Sequence, residues 1–178
     1  GNPVRSAIAA LSQETYRSPG DRDPFRLLVF GGSQGARVLS QILPQALRHL
    51  PHPARRRLVV EQQCRHEDLD GVRAAYDEIG VEATVATFFE DMDVRLASAH
   101  LVISRSGAST IAELAAAGRP AMLVPYPHAT DDHQSANARA VEAAGAGWLM
   151  PEEAFSGEAL AARLETFLAS PMALVEAA

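Results

Sequence analysis

Apolar and polar positions along this chain repeat with two periods, one typical of buried strands and the other of helices. Six short runs rich in branched aliphatic residues predict strands. They lie at 26–30, 57–61, 82–89, 100–104, 121–125 and 147–150. Elsewhere apolar residues recur every three or four positions, which is the spacing of one helix face. This spacing predicts helices at 39–50, 68–79, 91–98, 109–117, 134–144 and 156–168.

Glycine and proline mark the ends of several predicted helices. Gly80, Gly118 and Gly145 each follow a helical pattern, and Pro120 lies just beyond the second of them. A glycine in this position readily adopts the left-handed backbone that ends a helix. Pro44 falls inside the first helical pattern, where its ring predicts either a kink or a boundary.

The alternation of strands and helices predicts an α/β fold. We expect a Rossmann-like doubly wound parallel sheet with helices on both faces. Residues 25–170 would form this domain, preceded by a lead-in at 1–24 and followed by a tail at 171–178. In such folds ligands bind outside the carboxyl ends of the strands, so residues just after each strand are the candidates for function.

Two glycine-rich turns follow predicted strands and begin predicted helices. One is GGSQG at 31–35 and the other is SRSGAST at 104–110. Such a turn presents backbone N–H groups and the positive end of a helix dipole, which together bind anions, most often phosphate. Two of them, each with hydroxyl side chains, favour a ligand that carries a diphosphate. For the first turn, a tight connection that needs glycine for geometry alone stays an alternative.

Glu113 lies one helical turn after Ser109 and has two interpretations. Thr110 and Glu113 have the spacing of a capping box, which would stabilise the helix start by about 1 kcal/mol without any ligand. Alternatively, a carboxylate beside a phosphate-binding turn accepts hydrogen bonds from the hydroxyls of a ribose, as acidic residues do in dinucleotide-binding folds. The motif favours neither interpretation over the other.

A polar cluster follows the predicted strand at 121–125. It contains His128, Asp131, Asp132, His133, Gln134 and Asn137. These residue types could bind a metal ion, but their spacing matches no metal-binding motif. Binding of sugar hydroxyls is the favoured interpretation, and a solvated loop without a role is the alternative.

Isolated charges and the single cysteine carry less information. Arg5 alone is typical of a solvated surface charge, and the three arginines at 55–57 predict a solvated run beside a strand. Cys64 has no sequence context of a nucleophile, so we interpret it as structural. A lone cysteine also fits a reducing compartment.

Composition excludes several classes of protein. An apolar fraction of 47% and a charged fraction of 21% are typical of a globular protein. The net charge of −6 without a basic stripe argues against nucleic-acid binding. The sequence contains no run of about 18 apolar residues, which is the length that would predict a membrane span. The chain begins with Gly1 rather than Met, which favours a domain of a longer protein.

Five short segments make a more specific combination. They are GNPVR at 1–5, GGSQGAR at 31–37, TFFEDM at 87–92, SRSGASTIAEL at 104–114 and HATDDHQSANA at 128–138. In this order and at these separations they resemble the C-terminal half of the MurG family, bacterial cell-wall glycosyltransferases that convert lipid I to lipid II. The resemblance covers nearly the whole chain. It implies the donor-binding domain of a two-domain GT-B enzyme that transfers N-acetylglucosamine (GlcNAc) from UDP-GlcNAc, with inversion.

The resemblance also implies a role for each matched position. Ser33 would contact the diphosphate and donor sugar, and Glu113 would accept hydrogen bonds from the ribose. Phe89 would hold uracil through its backbone, Gln134 would bind GlcNAc hydroxyls, and Arg5 would contact the nucleotide. The implied substrate contacts are Arg5, Ser33, Phe89, Ala108, Ser109, Thr110, Ile111, Ala112, Glu113 and Gln134. Further candidates are Gly32, Gln34, His133 and Asn137, with the sugar contact left open between His133 and Gln134.

What this chain lacks follows from the same resemblance. In the family, the N-terminal half carries the acceptor site for lipid I, a membrane-docking patch and the expected general base. We therefore expect this chain to bind UDP-GlcNAc without transferring it, and no cofactor, metal ion or nucleic acid is implied. The full-length protein would be cytoplasmic and peripheral on the inner membrane. A donor-binding subunit of a split glycosyltransferase and a non-catalytic nucleotide-sugar sensor are the alternatives.

Overall fold

The computed structural model describes residues 3–32 and 36–178 and contains a six-stranded sheet. Its strands are β1 Phe25–Phe30, β2 Leu58–Gln63, β3 Glu82–Ala86, β4 Leu101–Ser104, β5 Ala121–Leu123 and β6 Gly147–Leu149. Their order across the sheet is β3-β2-β1-β4-β5-β6, and every neighbouring pair is parallel. The predicted parallel α/β fold is confirmed.

Helices cover both faces of this sheet. They are α1 Ser6–Ala9, α2 Arg37–His49, α3 His52–Arg57, α4 Leu69–Ile79, α5 Met92–Ser98, α6 Ala108–Ala117, α7 His133–Ala143, α8 Gly157–Ala169 and α9 Met172–Ala177. Within the two described ranges, no helix has both the length and the apolar character needed to cross a membrane.

Alternate residues of β1 pack on opposite faces of the sheet. Phe25, Leu27 and Val29 belong to the core cluster covered by α2, α4 and α8. Leu28 and Phe30 belong to the cluster covered by α1, α5 and α6. All five side chains are buried. A strand covered on both faces has no polar side, which explains the continuous apolar run in the sequence.

Pro44 does not end α2, which runs through it from Arg37 to His49. The boundary alternative for this proline is therefore wrong. Leu39, Leu43 and Leu47 on the same helix are buried against the sheet and α8. Their burial outweighs the lost backbone hydrogen bond and the ring clash, which cost about 3 kcal/mol in a helix interior.

Of the three arginines at 55–57, Arg56 is exposed as predicted, whereas Arg57 is held by the fold. The three residues end the short helix α3, and Arg57 donates hydrogen bonds to the backbone oxygens of Gly20 at 2.8 Å, Asp23 at 3.2 Å and Leu168 at 3.1 Å. Arg57 therefore joins the lead-in to the end of α8. The solvated interpretation of this side chain is wrong because its acceptors come from distant parts of the chain.

Both ends of the described chain pack on the domain. Ile8 and Leu11 of the lead-in are buried against the domain, and the Tyr16 hydroxyl donates to the His100 carbonyl at 2.9 Å. After residue 170, where the sequence pattern predicts no element, α9 buries Leu174 completely. The domain boundaries at 24 and 170 stay a prediction.

β3 is shorter than the predicted strand at 82–89 and ends at Ala86. The Phe89 N–H donates to the side-chain oxygen of Gln63 at 3.0 Å rather than to a neighbouring strand. A turn at 87–91 therefore lies at the carboxyl end of β3, on the same edge of the sheet as the two glycine turns.

Candidate functional site

The described part of the first glycine turn, Gly31 and Gly32, lies beside the second glycine turn at the centre of the sheet. Phe30 and Ser104 are the last paired residues of β1 and β4; Phe30 directly precedes the first turn, and Ser104 begins the second. Strand order reverses here, because the chain moves outward to β2 and β3 on one side and to β5 and β6 on the other. Such a switch point leaves the strand ends uncovered, and ligands of doubly wound folds bind there.

A cavity of about 640 Å³ opens at this point and is lined by residues of both turns. Five predicted site residues contribute to its lining: Gly32, Ala108, Ser109, Thr110 and Gln134. Gly32 has a backbone φ of +86°, so the geometry of the first turn requires glycine there. Ser33 and Gln34 lie outside the described residues.

The N-terminus of α6 faces the cavity through its first turn. Gly107 is the N-cap with φ −61° and ψ 152°, and no side chain caps the helix start. Ala108, Ser109 and Thr110 therefore present backbone N–H groups without partners inside the helix, together with the positive end of the dipole. Thr110 lies inside the helix rather than at its N-cap, so the capping-box interpretation of Thr110 and Glu113 is wrong.

Gln134 connects the second glycine turn to the loop after β5. Its side-chain oxygen accepts hydrogen bonds from the backbone N–H of Tyr126 at 3.0 Å and of Ser106 at 3.3 Å. Because both partners are donors, they fix the orientation of the side-chain amide. The NH₂ group of Gln134 carries the two donors that these contacts leave over, and donors suit the hydroxyl oxygens of a sugar.

Asn137 supports the same turn rather than the cavity. Its side-chain NH₂ donates to the Ser106 carbonyl at 2.9 Å, and the Ser106 hydroxyl donates to the Gln134 carbonyl at 2.8 Å. Asn137 is absent from the cavity lining. Its contacts therefore position Ser106 and Gln134, while direct contact with a ligand stays a prediction.

Arg5 and Glu113 form an ion pair beside the cavity. The guanidinium Nε lies 2.9 Å from Oε1 and Nη2 lies 3.1 Å from Oε2. The Glu113 side chain is 18% exposed and that of Arg5 is 51% exposed. A carboxylate has about four lone-pair positions, so the pair leaves about two for other donors. Neither side chain lines the cavity.

The remaining predicted residues lie outside the cavity lining. Phe89 is only 3% exposed, so a ligand could reach little more than its backbone. Ile111 packs against the core between the sheet and α6. The His133 side chain is largely exposed, with Nε2 3.8 Å from an Asp131 carboxylate oxygen. Phe89, Ile111, Ala112 and His133 do not line the cavity.

Arg105 and Glu152 line the cavity, although the sequence assigned neither a role. Arg105 is buried, and its Nη1 donates to Glu152 Oε2 at 2.6 Å and to the carbonyls of Val124 and Pro125, each at 3.1 Å. Arg105 stands inside the quoted motif SRSGAST, which could have identified it. Glu152 follows β6, and no local pattern connects it to this turn.

The charge of the cavity lining favours an anion. Among the described residues, three arginines and one glutamate contribute to it: Arg37, Arg65, Arg105 and Glu152. Arg65 comes from the loop after β2 and is held by Asp68, with Nε 2.9 Å from Oδ2. Guanidinium groups bind phosphate oxygens through charge-assisted hydrogen bonds. Residues 3–32 and 36–178 contain no group of three or more metal-ligating side chains.

Comparisons with known proteins agree with this geometry. A family model described as glycosyltransferase family 28 C-terminal domain matches residues 26–178. Relatives from Paramagnetospirillum magneticum and Rhodospirillum centenum are each 54% identical over 178 residues, 100% of this chain. Both are named UDP-N-acetylglucosamine–N-acetylmuramyl-(pentapeptide) pyrophosphoryl-undecaprenol N-acetylglucosamine transferase. The matches cover 48% and 47% of these relatives, so the chain spans about half the length of the curated relatives it matches.

One solved structure is similar to this chain along its whole length. The crystal structure of Acinetobacter baumannii MurG is 34% identical and superposes with a TM-score of 0.78. The match covers 100% of this chain and 48% of that one.

Proposed function

Because this chain belongs to the family of glycosyltransferase family 28 C-terminal domains, we propose that it binds UDP-GlcNAc as the donor half of a GlcNAc transferase. The single observation that carries the proposal is the cavity at the centre of the sheet. It combines the uncapped N-terminus of α6, two glycine turns and three arginine side chains. These groups suit the diphosphate of a sugar nucleotide.

Different residues would bind the diphosphate, the ribose and the sugar of the donor. Ala108, Ser109 and Thr110 would bind the diphosphate through their backbone N–H groups, together with the first turn at 31–35. Glu113 would accept from the ribose hydroxyls while Arg5 holds its carboxylate. The sugar site is supported by the NH₂ group of Gln134, because only the side-chain oxygen of this residue is used in its contacts with Ser106 and Tyr126.

The same groups would assist the departure of UDP. Negative charge grows on the leaving diphosphate as the bond to the sugar breaks. The α6 N-terminus is already oriented before reaction, and Arg105 is fixed by two backbone carbonyls and Glu152. Preorganised donors and charges of this kind stabilise developing charge more than mobile water does.

We further propose that the acceptor and the general base belong to a part of the protein outside this chain. The relatives are about twice as long as this chain and are named as transferases acting on an undecaprenol-linked muramyl pentapeptide. The complete protein would pass GlcNAc to lipid I in peptidoglycan synthesis. It would act at the cytoplasmic face of the inner membrane as a peripheral protein.

Calorimetry with UDP-GlcNAc, UDP and UDP-glucose tests the proposal. We expect all three to bind, with UDP-GlcNAc tighter than UDP-glucose, and no transfer to a lipid I analogue by this chain alone. Failure to bind any uridine nucleotide would contradict the donor site. Turnover by the isolated chain would contradict the assignment of the acceptor half elsewhere.

A further inference from the structure

The cavity wall after β5 carries an aromatic side chain that the proposed donor contacts do not use. Tyr126 is 44% exposed, whereas Val124 and Pro125 directly before it are buried. Among the residues that the structure describes, Tyr126 is the only aromatic residue in the cavity lining. An aromatic ring stabilises a fold through the surface that it removes from water, and much of this ring stays in contact with the cavity. That surface is available to a ligand.

Two side chains of the same cavity fix the backbone around Tyr126. Arg105 Nη1 donates to the carbonyls of Val124 and Pro125, each at 3.1 Å, and Gln134 Oε1 accepts the Tyr126 N–H at 3.0 Å. The Arg105 guanidinium carbon also lies 5.3 Å from the centre of the Tyr126 ring. A cation near an aromatic face is attracted to it, so this contact restrains the ring as well. Tyr126 therefore presents a preorganised apolar surface, which loses little entropy when a ligand packs on it.

The side chain of Gln134 places this ring beside the proposed sugar site. Its oxygen accepts the Tyr126 N–H, and the NH₂ group of the same amide carries the donors proposed for the sugar hydroxyls. A sugar bonded to that NH₂ group would therefore lie next to Tyr126. A hexopyranose has hydroxyls around its rim and C–H groups on its faces. Polar groups such as the amide suit the rim, and an aromatic ring suits a face.

We propose that Tyr126 forms the platform on which the pyranose ring of the donor sugar packs. The inference rests on the proposed function, in which Gln134 binds the same sugar. Gln134 would supply hydrogen bonds to hydroxyls, and Tyr126 would supply apolar contact with C–H groups. This contact does not involve the acetamido group, so the platform would serve N-acetylglucosamine and glucose equally. Tyr126 would touch neither the uridine nor the phosphates.

Two substitutions separate the aromatic ring from its hydroxyl group. Tyr126→Phe keeps the aromatic surface and Tyr126→Ala removes it, while both retain the backbone N–H that donates to Gln134. Met172→Ala, at an exposed apolar position of α9 outside the cavity lining, is the control. Calorimetry would measure the dissociation constants of UDP, UDP-GlcNAc and UDP-glucose for each chain. UDP has no sugar, so its affinity reports whether the rest of the donor site is intact.

Tyr126→Ala should bind both sugar nucleotides ~5–20-fold more weakly than the unmodified chain, because a large apolar contact with the sugar is lost. Its affinity for UDP should be unchanged. Tyr126→Phe and Met172→Ala should bind all three ligands as the unmodified chain does.

Four results would overturn the inference while leaving UDP binding by the unmodified chain, and with it the proposed function, in place. They are an unchanged affinity of Tyr126→Ala for the sugar nucleotides, a loss confined to UDP-GlcNAc, an equal loss for UDP, and a comparable loss in Tyr126→Phe. If the unmodified chain binds no uridine nucleotide, the proposed function fails as well.

Discussion

The guanidinium of Arg5 holds the carboxylate of Glu113 at two points, although the residues are 108 positions apart in the chain. The pair joins the start of α1 to the middle of α6, so in the proposed site the lead-in would contribute to binding of the nucleotide. Arg5 orients the carboxylate through both contacts and would leave lone pairs for the proposed ribose. The two residues therefore act together, rather than as separate contacts.

Glu113→Ala should weaken UDP binding by about 10-fold or more, because charge-assisted hydrogen bonds to the ribose would be lost. The change in the free energy of unfolding should stay within about 1 kcal/mol, because the Arg5 side of the pair is half exposed. Calorimetry and urea denaturation measure the two effects. Glu165→Ala on the exposed side of α8 is the control. Lower stability with unchanged affinity would reduce Glu113 to a structural residue.

Gln134→Leu and Gln134→Glu should have different effects. Leucine leaves the N–H groups of Ser106 and Tyr126 without their acceptor, so the free energy of unfolding should fall by about 1–3 kcal/mol. Glutamate keeps the acceptor and removes the NH₂ group, so stability should be retained while UDP-GlcNAc loses more affinity than UDP. Denaturation and calorimetry on both variants separate these effects. An equal loss for UDP and UDP-GlcNAc in Gln134→Glu would argue against a sugar contact.

Glu152→Gln should strengthen the binding of UDP-GlcNAc by about 2–10-fold, because it removes the one negative charge in the described lining of an anion site. Arg105 would keep its hydrogen bonds to the Val124 and Pro125 carbonyls. Glu153→Gln, at the exposed neighbouring position, is the matched control and should leave the affinity nearly unchanged. Weaker binding by Glu152→Gln alone would show that the pair positions Arg105 for the ligand.

His100 should make the domain less stable in mild acid. Burial lowers the pKa of His100, as do the positive charges of Arg26, Arg119 and Arg57, while Asp23 opposes them. The unfolded chain therefore takes up a proton near the ordinary pKa of about 6.5, before the folded chain does. Unfolding free energy should fall as the pH drops from 7 through this value, and level off below the folded pKa.

The His100→Asn variant tests this prediction. Its side-chain oxygen can accept the Arg26 N–H that His100 Nδ1 accepts at 2.8 Å, but it does not titrate. Thermal denaturation between pH 5 and pH 7 should therefore show a smaller pH dependence for His100→Asn than for the unmodified chain. His49→Asn, at an exposed histidine, should keep the original dependence. Parallel pH curves for all three chains would contradict the prediction.

Local patterns predicted the sheet because each strand carries its own signal. The run at 26–30 is apolar since both of its faces are buried, and the glycine turns stand where the strands end. Pro44 shows the limit of this reasoning: packing of α2 against α8 outweighs a strong local signal. Tertiary packing also explains α9, for which the local pattern predicted no element. This helix buries Leu174 against the rest of the domain.

Local sequence patterns did not predict contacts between residues that are far apart in the chain. The motifs identified Gln134 and Glu113 as candidates, but not that Gln134 uses its oxygen for the fold or that Glu113 is held by Arg5. Glu152 and Gln63 carry no motif at all. Their positions depend on where β6 and β2 end in the sheet. Local periodicity along the sequence does not predict this arrangement.

Phe30 and Ser104 pair where the two halves of the sheet meet, at the start of the two turns of the cavity. A diphosphate bound by both turns would act as a removable cross-link between β3-β2-β1 and β4-β5-β6. At 100 times its dissociation constant, such a ligand adds about 2.7 kcal/mol to the free energy of unfolding. The resistance of the domain to heat and proteases would then follow the supply of sugar nucleotide, and starvation for the donor would leave the molecule in its most vulnerable form.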